Sequence, residues 1–387
     1  MSILKSILDT DLYKLTMQQA ILHYRQNTPV EYMFYNRRKD HRFNNLFVKK
    51  LCDEIDRMRH LYLTNEEADW LKTNCPWLGK EYISYLGKYR YDPDEVTFDL
   101  SDGEIELKIN GDWERAVMWE VPLMAVISEL YFKYCDINWN WDDKEQTEKL
   151  FTKAEVLFPT RYADFGTRRR RSYQSQDYVV NYFSKDWKSF FGTSNVHFAM
   201  KYKVRPVGTM AHEWIMGISA TEGLLRANHR ALSVWSEVYK GDLGIALTDT
   251  FGTEAFFKDF DGYLARLFDG VRHDSGDPYK FVDRVIEHYK SLGIDPKGRI
   301  IVFSDGLDAH KAYKLYHYCK DKILCSFGIG TNFTNDIPNS KPLEMVIKLN
   351  KCNNVPVVKL SDVPTKSVGD KDALRVAKWT FFNTPLD

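Results

Sequence analysis

The sequence has no CxxC pair, no stretch of about 18 uninterrupted apolar residues and no excess of either charge. Each absence removes a class of function. Its six cysteines, Cys52, Cys75, Cys135, Cys319, Cys325 and Cys352, follow no regular spacing. A disulfide framework and a structural zinc site are therefore not expected, and reduced thiols in a cytoplasmic protein are. Lys plus Arg equals Asp plus Glu at 54 each, so no overall field favours nucleic acid or an anionic membrane surface. Any anion must be held locally. The N-terminal MSILKSILDTDLYKL reaches Asp9 and Asp11 before it could form an apolar signal core, and a soluble, untargeted chain is expected. Neither GxxxxGK[ST] nor GxGxxG nor HExxH occurs, which argues against a Walker loop, a dinucleotide fingerprint and a histidine-pair metal site. Low-complexity linkers and a strong internal repeat are also missing.

What is present is 387 residues, 44% hydrophobic and 14% aromatic, enough to bury a large core in one large domain plus a smaller one. After Thr10, an expected N-cap, Leu12, Leu15 and Leu22 share one helical face while Tyr13, Met17, Ala20 and Tyr24 share another. VEYMFYNR then reads as a strand. Residues 96 to 119 alternate, with Val96, Phe98 and Leu100 followed by Ile105, Leu107 and Ile109, and turn chemistry at Asp102-Gly103 and Asn110-Gly111 predicts an antiparallel meander. The apolar segment at 117 to 132 contains Glu120, Pro122 and Glu129, which suits a buried helix.

Beyond about residue 125, short apolar strands end in polar or glycine residues and pass into helices. LGIALTDT, FDGVRHDSGD, RIIVFSDGLD and ILCSFGIGTN carry this rhythm, and Asp249, Arg272, Asp274, Asp305 and Gly328 stand at strand ends. The expected fold class is α/β with α+β: an irregular parallel α/β barrel, its site at the carboxyl ends of the strands, and a smaller mixed α+β domain built from the N-terminal and C-terminal segments. A doubly wound open sheet is the alternative. The expected boundaries are 1–124, 125–334 and 335–387, with EMVIKLN and VPVVKLSD as strands that return to the N-terminal domain.

Four stretches could carry chemistry. In GIGTNFTND, Gly328 and Gly330 allow backbone N–H groups close to an anion and Thr331 adds a hydroxyl; a plain tight turn is the bland reading. VRHDSGDP crowds an arginine, two acids, a serine and a glycine at one strand end, suited to an anionic substrate, a sugar diol and Mg2+, although Asp274 or Asp277 would equally cap the helix that Pro278 opens. FSDGLD, with Asp305 and Gly306, repeats the pattern. In ADFGTRRRRSYQ, one or two of the arginines can face a pyrophosphate while the rest are expected in solvent, and Phe165 is by default a core aromatic. His212 in VRPVGTMAHEW is by the residues alone a hydrogen-bonded core histidine before it is anything catalytic.

Taken in order, TDLYKLTM, DFGTRRR, VGTMAHEW, RHDSGDP, FSDGLD, FGIGTNFTND, KPLEMVIKL and VVKLSD resemble the nicotinate phosphoribosyltransferase family over essentially the whole chain. The resemblance implies synthesis of nicotinate mononucleotide and pyrophosphate from nicotinate and phosphoribosyl pyrophosphate for NAD salvage, coupled to ATP hydrolysis through a phosphohistidine. It implies His212 as that histidine, and Tyr13 and Phe165 as a sandwich for the pyridine ring, with the tyrosine arriving from the other subunit of a homodimer. Thr209 and Arg272 would contact nicotinate and Arg168 the leaving pyrophosphate. Asp274 and Asp305 would serve ribose hydroxyls or Mg2+, Asp274 through water, and Gly306, Gly328, Gly330 and Thr331 the ribose and 5′-phosphate. ATP and Mg2+ are the implied co-substrate and cofactor, with no nucleic-acid or membrane partner. Action on nicotinamide, or nucleotide binding without catalysis, are the competing readings.

Overall fold

The computed structural model describes residues 2–38 and 40–384. The N-terminal region contributes three strands, β1 (Pro29–Asn36), β2 (Val96–Ser101) and β3 (Glu104–Asp112). Seven more follow: β4 (Tyr162–Asp164), β5 (Phe190–Thr193), β6 (Arg205–Pro206), β7 (Ile245–Leu247), β8 (Gly270–His273), β9 (Ile300–Phe303) and β10 (Leu324–Ile329). β11 (Met345–Cys352) and β12 (Val355–Pro356) complete the described set.

β2 and β3 form a hairpin because Asp102 and Gly103 both accept positive φ, 50° and 74°, as a two-residue turn that matches strand twist requires. Val96, Ile105, Leu107 and Ile109 turn inward from it. The second expected turn, at Asn110-Gly111, is not one. β3 runs through both residues because β1 pairs with them, Glu31 opposite Asn110 and Val30 opposite Gly111. The alternation stops at Asp112, and Trp113–Ala116 and Glu120–Tyr134 are helices, the second buried almost throughout. β11 lies antiparallel on the other edge of β1, and the sheet order is β12-β11-β1-β3-β2.

The first helix, Leu12–Tyr24, is buried on nearly all sides of its first three turns, which explains apolar residues on two faces. Asp11, not Thr10, is its N-cap residue. The Asp11 carboxylate is occupied by the Ser194 hydroxyl at 2.7 Å, and the Leu12 amide donates to Ser194 O at 2.7 Å, so the helix start is fastened to the barrel instead of capped by the Asp11 side chain.

The second sheet is parallel throughout, in the order β6-β5-β4-β10-β9-β8-β7. β6 and β7 stand at its two ends, so the sheet curls into an irregular, incompletely closed barrel, as the βα rhythm predicts. The gap is bridged by side chains: Thr209 Oγ1 donates to Ile245 O at 3.1 Å, and Thr16 of the first helix donates to Thr209 O at 2.6 Å. A tryptophan column joins the two modules, with Trp113 stacked on Trp214 at 6.0 Å and Trp214 against Trp235 at 5.8 Å. Trp214 belongs to helix His212–Glu222, so core packing fixes the helix that presents His212.

VPVVKLSD is mostly not a strand. After the two residues of β12, the chain crosses the barrel mouth, with Leu360 N donating to Thr250 O at 2.8 Å and Lys359 N to Val368 O at 2.8 Å, before helix Lys371–Phe382. Its polar side chains reach the strand ends, Lys359 meeting His212, Ser361 meeting Ser275 and Lys366 meeting Asp305. No helix among the described residues is long and apolar enough to cross a membrane, and the six cysteines are unpaired.

Candidate active site

The carboxyl ends of β4, β8, β9 and β10 surround a cavity of about 380 Å³. Phe165, Arg168, Arg272, Asp274, Gly306, Gly330 and Thr331 line it, as does Arg169. Tyr13, Thr209, His212, Asp305 and Gly328 are not among its lining residues, although each lies close to those that are. The reasons differ. Gly328 is inside β10, where an added Cβ would come within 2.3 Å of the Phe165 ring, so its contribution is clearance for that ring. Thr209 spends its hydroxyl on the barrel gap. Asp305 is held by Lys366 at 2.6 Å.

His212 opens its helix at the mouth and is joined to the cavity through Asp274. Nδ1 lies 3.0 Å from Thr250 Oγ1, and Nε2 lies 3.0 Å from Asp274 Oδ2, 2.9 Å from Lys359 Nζ and 3.6 Å from Asp249 Oδ1. Burial, and next the Lys359 charge, push the imidazole pKa below its usual value despite the two carboxylates. The ring is therefore neutral at neutral pH. In one tautomer Nδ1–H donates to the Thr250 hydroxyl and Nε2 accepts from Lys359; in the other Nε2–H donates to Asp274. The first leaves the lone pair on Nε2, the form a nucleophile needs.

Asp274 is the junction. Its Oδ1 accepts from Arg272 Nη2 at 3.0 Å and from Ser304 Oγ at 2.8 Å, while Arg272 Nε donates to Ser304 Oγ at 2.8 Å. Burial opposes ionisation of Asp274, but Arg272, His212 and Lys359 outweigh it and hold the carboxyl well below the usual range. Asp277, not Asp274, caps the helix after Pro278, accepting from Tyr279 N and Lys280 N, so the two acids of this motif divide structure and chemistry between them.

A hard divalent cation takes oxygen donors and keeps part of its water. His212, Asp249 and Asp274 each offer one ligand atom, all within 4.8 Å of one another. Asp249 Oδ1 is buried without a hydrogen-bond partner among the described residues, whereas Asp249 Oδ2 accepts from Ser275 at 2.6 Å and pairs with Lys359 at 3.1 Å. Two carboxylates, one carrying a free buried oxygen, fit a cation that completes its shell with water and phosphate oxygens.

The arginine run departs from expectation. Arg170 and Arg171 are fully buried, not solvated. Arg170 forms a two-point pair with Asp9 at 2.7 and 2.9 Å, and Arg171 lies 3.5 Å over the Phe132 ring while bonding to Asn335 and Ser340. Each finds a separate interior partner, which the sequence cannot display. Arg169 faces the cavity, and burial together with Arg168 and Arg37 depresses its pKa to about 10. Arg168 donates to Glu120 at 3.4 Å and keeps 37% of its side chain exposed. Tyr13 is only 8% exposed within its own chain, and its hydroxyl is buried without a hydrogen-bond partner among the described residues.

Reading the residues alone left Lys359, Thr250, Ser304 and Lys366 without roles. Lys359 and Ser304 lie inside VVKLSD and FSDGLD, so their motifs were visible while their partners were not. Asp164 of the DFG turn is a structural hub, accepting from Gly166 N, Gln176 and Thr193, with burial as the main cause that pushes its pKa up to about 6.

Residues 160–385 match the profile of the nicotinate phosphoribosyltransferase (NAPRTase) family, and residues 8–128 match its N-terminal domain. Nicotinate phosphoribosyltransferase of Methanosarcina acetivorans is 49% identical over 404 aligned residues, covering 99% of this chain and 100% of that protein. The corresponding protein of Desulforapulum autotrophicum is 45% identical, covering 96% of this chain and 97% of its own length. Among solved structures, nicotinate phosphoribosyltransferase from Porphyromonas gingivalis superposes with a TM-score of 0.94 at 38% identity, covering 98% of this chain and 100% of that one.

Proposed function

The chain belongs to the nicotinate phosphoribosyltransferase family and is an enzyme of that activity, and from this premise we propose that its phosphoribosyl transfer is coupled to ATP hydrolysis through a phosphohistidine at His212. The observation that carries the proposal is the placement of His212 at the start of its helix with Lys359 Nζ 2.9 Å and Asp274 Oδ2 3.0 Å from Nε2, and burial together with Lys359 disfavours the charged ring. A neutral ring can attack the γ-phosphorus of ATP: the N–P bond forms, the bond to the ADP oxygen breaks, and Lys359 stands ready to balance the charge on the transferred phosphoryl group. Hydrolysis later returns phosphate and the free imidazole, in service of NAD salvage.

For the transfer itself, nicotinate takes its place beside Phe165, its carboxylate toward Arg272, and Tyr13 and Thr209 complete the ring's surroundings. Loss of pyrophosphate from C1 builds positive charge on the ribose, which the ring nitrogen then captures. Positioning and charge neutralisation are what a protein contributes to such a step. Arg168 faces the departing pyrophosphate, Asp305 and Gly306 the ribose hydroxyls, and Gly330 and Thr331 the 5′-phosphate. Mg2+, held through water by Asp274 with Asp249 beside it, would supply further neutralisation of phosphate charge. A homodimer in the cytoplasm is part of this reading.

His212→Asn keeps much of the size and polarity while removing the nucleophile. The variant is expected to lose ATPase activity and the acid-labile phosphate on the protein, yet to release pyrophosphate from phosphoribosyl pyrophosphate and nicotinate at a lower rate that ATP does not change. A folded His212→Asn protein that still becomes phosphorylated would overturn the assignment.

A further inference from the structure

Lys14, next to Tyr13 in TDLYKLTM, has a fully buried side chain. Its ammonium sits 2.5 Å from Glu120 Oε2 and 2.7 Å from Glu213 Oε2. Glu213 is the glutamate of GTMAHEW, and its other oxygen accepts from the Tyr32 hydroxyl at 3.2 Å. Glu120 turns its other oxygen to Arg168, at a longer 3.4 Å. Arg168, Glu120, Lys14 and Glu213 thus form one chain of alternating charge, buried except at Arg168 and closed by the Tyr32 hydroxyl, drawn from five separate elements and ending at the cavity. Two cations balance two carboxylates within it.

The unequal distances decide how this chain behaves. Glu120 is held closely by Lys14 and only loosely by Arg168, so the guanidinium can leave its carboxylate without stranding a buried, unpaired charge. Without Lys14, Glu120 would have Arg168 as its one cation in contact among the described residues, and that pair would close. We propose that Lys14 is a positioning residue for the leaving pyrophosphate: it occupies Glu120 so that Arg168 can turn from that carboxylate to the anion. The inference rests on the reading of Arg168 as the pyrophosphate-facing arginine. Glu213 and Tyr32 anchor Lys14 from the far side, which ties the start of the His212 helix to the same chain of charges.

The direction of the effects distinguishes this role from simple support of the fold. Titrating inorganic pyrophosphate with Mg2+ into the full-length protein by calorimetry, Lys14→Gln should weaken binding about tenfold, the scale of one charge-assisted hydrogen bond. Glu120→Gln, which removes the competitor, should tighten it severalfold. In the double variant the loss at Lys14 should disappear, because the carboxylate it restrained is gone. Lys14→Arg, which keeps the cation, should restore binding toward wild type and provides the comparison if Lys14→Gln does not fold. A structural role predicts instead that both single variants weaken binding and that the double variant is worse, and that pattern would overturn the proposal. Arg168→Gln separates the two layers. Unchanged pyrophosphate binding in that variant would remove Arg168 from its role and the inference with it, whereas weakened binding there together with weakened binding in Glu120→Gln would overturn the inference alone.

Discussion

At the scale of the residue, His212 shows how charge placement selects a protonation state. Its pKa lies below 6.5 because burial and the Lys359 ammonium disfavour imidazolium more than Asp249 and Asp274 favour it. Phosphoenzyme formation should therefore persist into mildly acidic solution and fall only below pH 6.5. Replacing Lys359 with Met removes a cation from the ring, so His212 should protonate at higher pH and the acid limb of the profile should shift upward; a limb that stays in place would show that Lys359 does not tune the ring. The same shift bears on stability. Below 6.5 the unfolded chain takes up a proton at this position before the folded one does, so this contribution is lost as pH falls. Arg272 supplies the cation expected to meet the nicotinate carboxylate. A charged hydrogen bond contributes roughly 1.5 to 3 kcal/mol, so Arg272→Gln should reduce the preference for nicotinate over nicotinamide on the order of ten- to a hundredfold. Equal acid-to-amide ratios of kcat/KM in wild type and variant would remove Arg272 from that role.

Individual elements carry the site through close packing. β10 passes against Phe165 only because position 328 has no side chain. In Gly328→Ala the new methyl would meet the ring at 2.3 Å, so the aromatic must leave its place at the cavity wall. Overpacking of this kind costs about 1 to 3 kcal/mol, and the variant should melt at lower temperature with a raised KM for nicotinate. Unchanged melting and KM would mean that the ring relocates freely and that its present position is not needed. The segment between β12 and the last helix shows a different relation of element to function. It is not paired as a strand over most of its length, and its side chains go to the barrel mouth: Lys359 to His212 and Asp249, Ser361 to Ser275, Asp362 to Thr253, and Lys366 to Asp305. A stretch that reads as alternating strand thus becomes a strap whose polar side chains complete a site assembled elsewhere.

On the scale of the whole molecule, the fold settles which chain positions share a site. The resemblance implies that Tyr13 reaches the pyridine ring from a partner subunit; within its own chain Tyr13 is 8% exposed. If the partner supplies the tyrosine, mixing Tyr13→Ala chains with Phe165→Ala chains under demonstrated subunit exchange should restore some activity; no recovery would show that each site is built within one chain. Local chemistry was legible without coordinates. Period-two alternation marked the Val96–Asp112 hairpin, the βα rhythm marked the barrel, and the ordered motifs marked the family, because each signal lies within a few residues along the chain. Signals that depend on a partner far away were not. Asn110-Gly111 has turn composition, but β1 pairs across it; Arg170 and Arg171 have the look of a solvated run, but Asp9 and Phe132 receive them inside. The sequence by itself determined the strand and helix periods, the family and the residue types available for phosphate and carboxylate chemistry. Only the tertiary structure decided that Lys359 meets His212, that Lys14 sits between Glu120 and Glu213, and that Gly328 serves a ring, since charge pairing and burial depend on distances that close only when separated segments fold together.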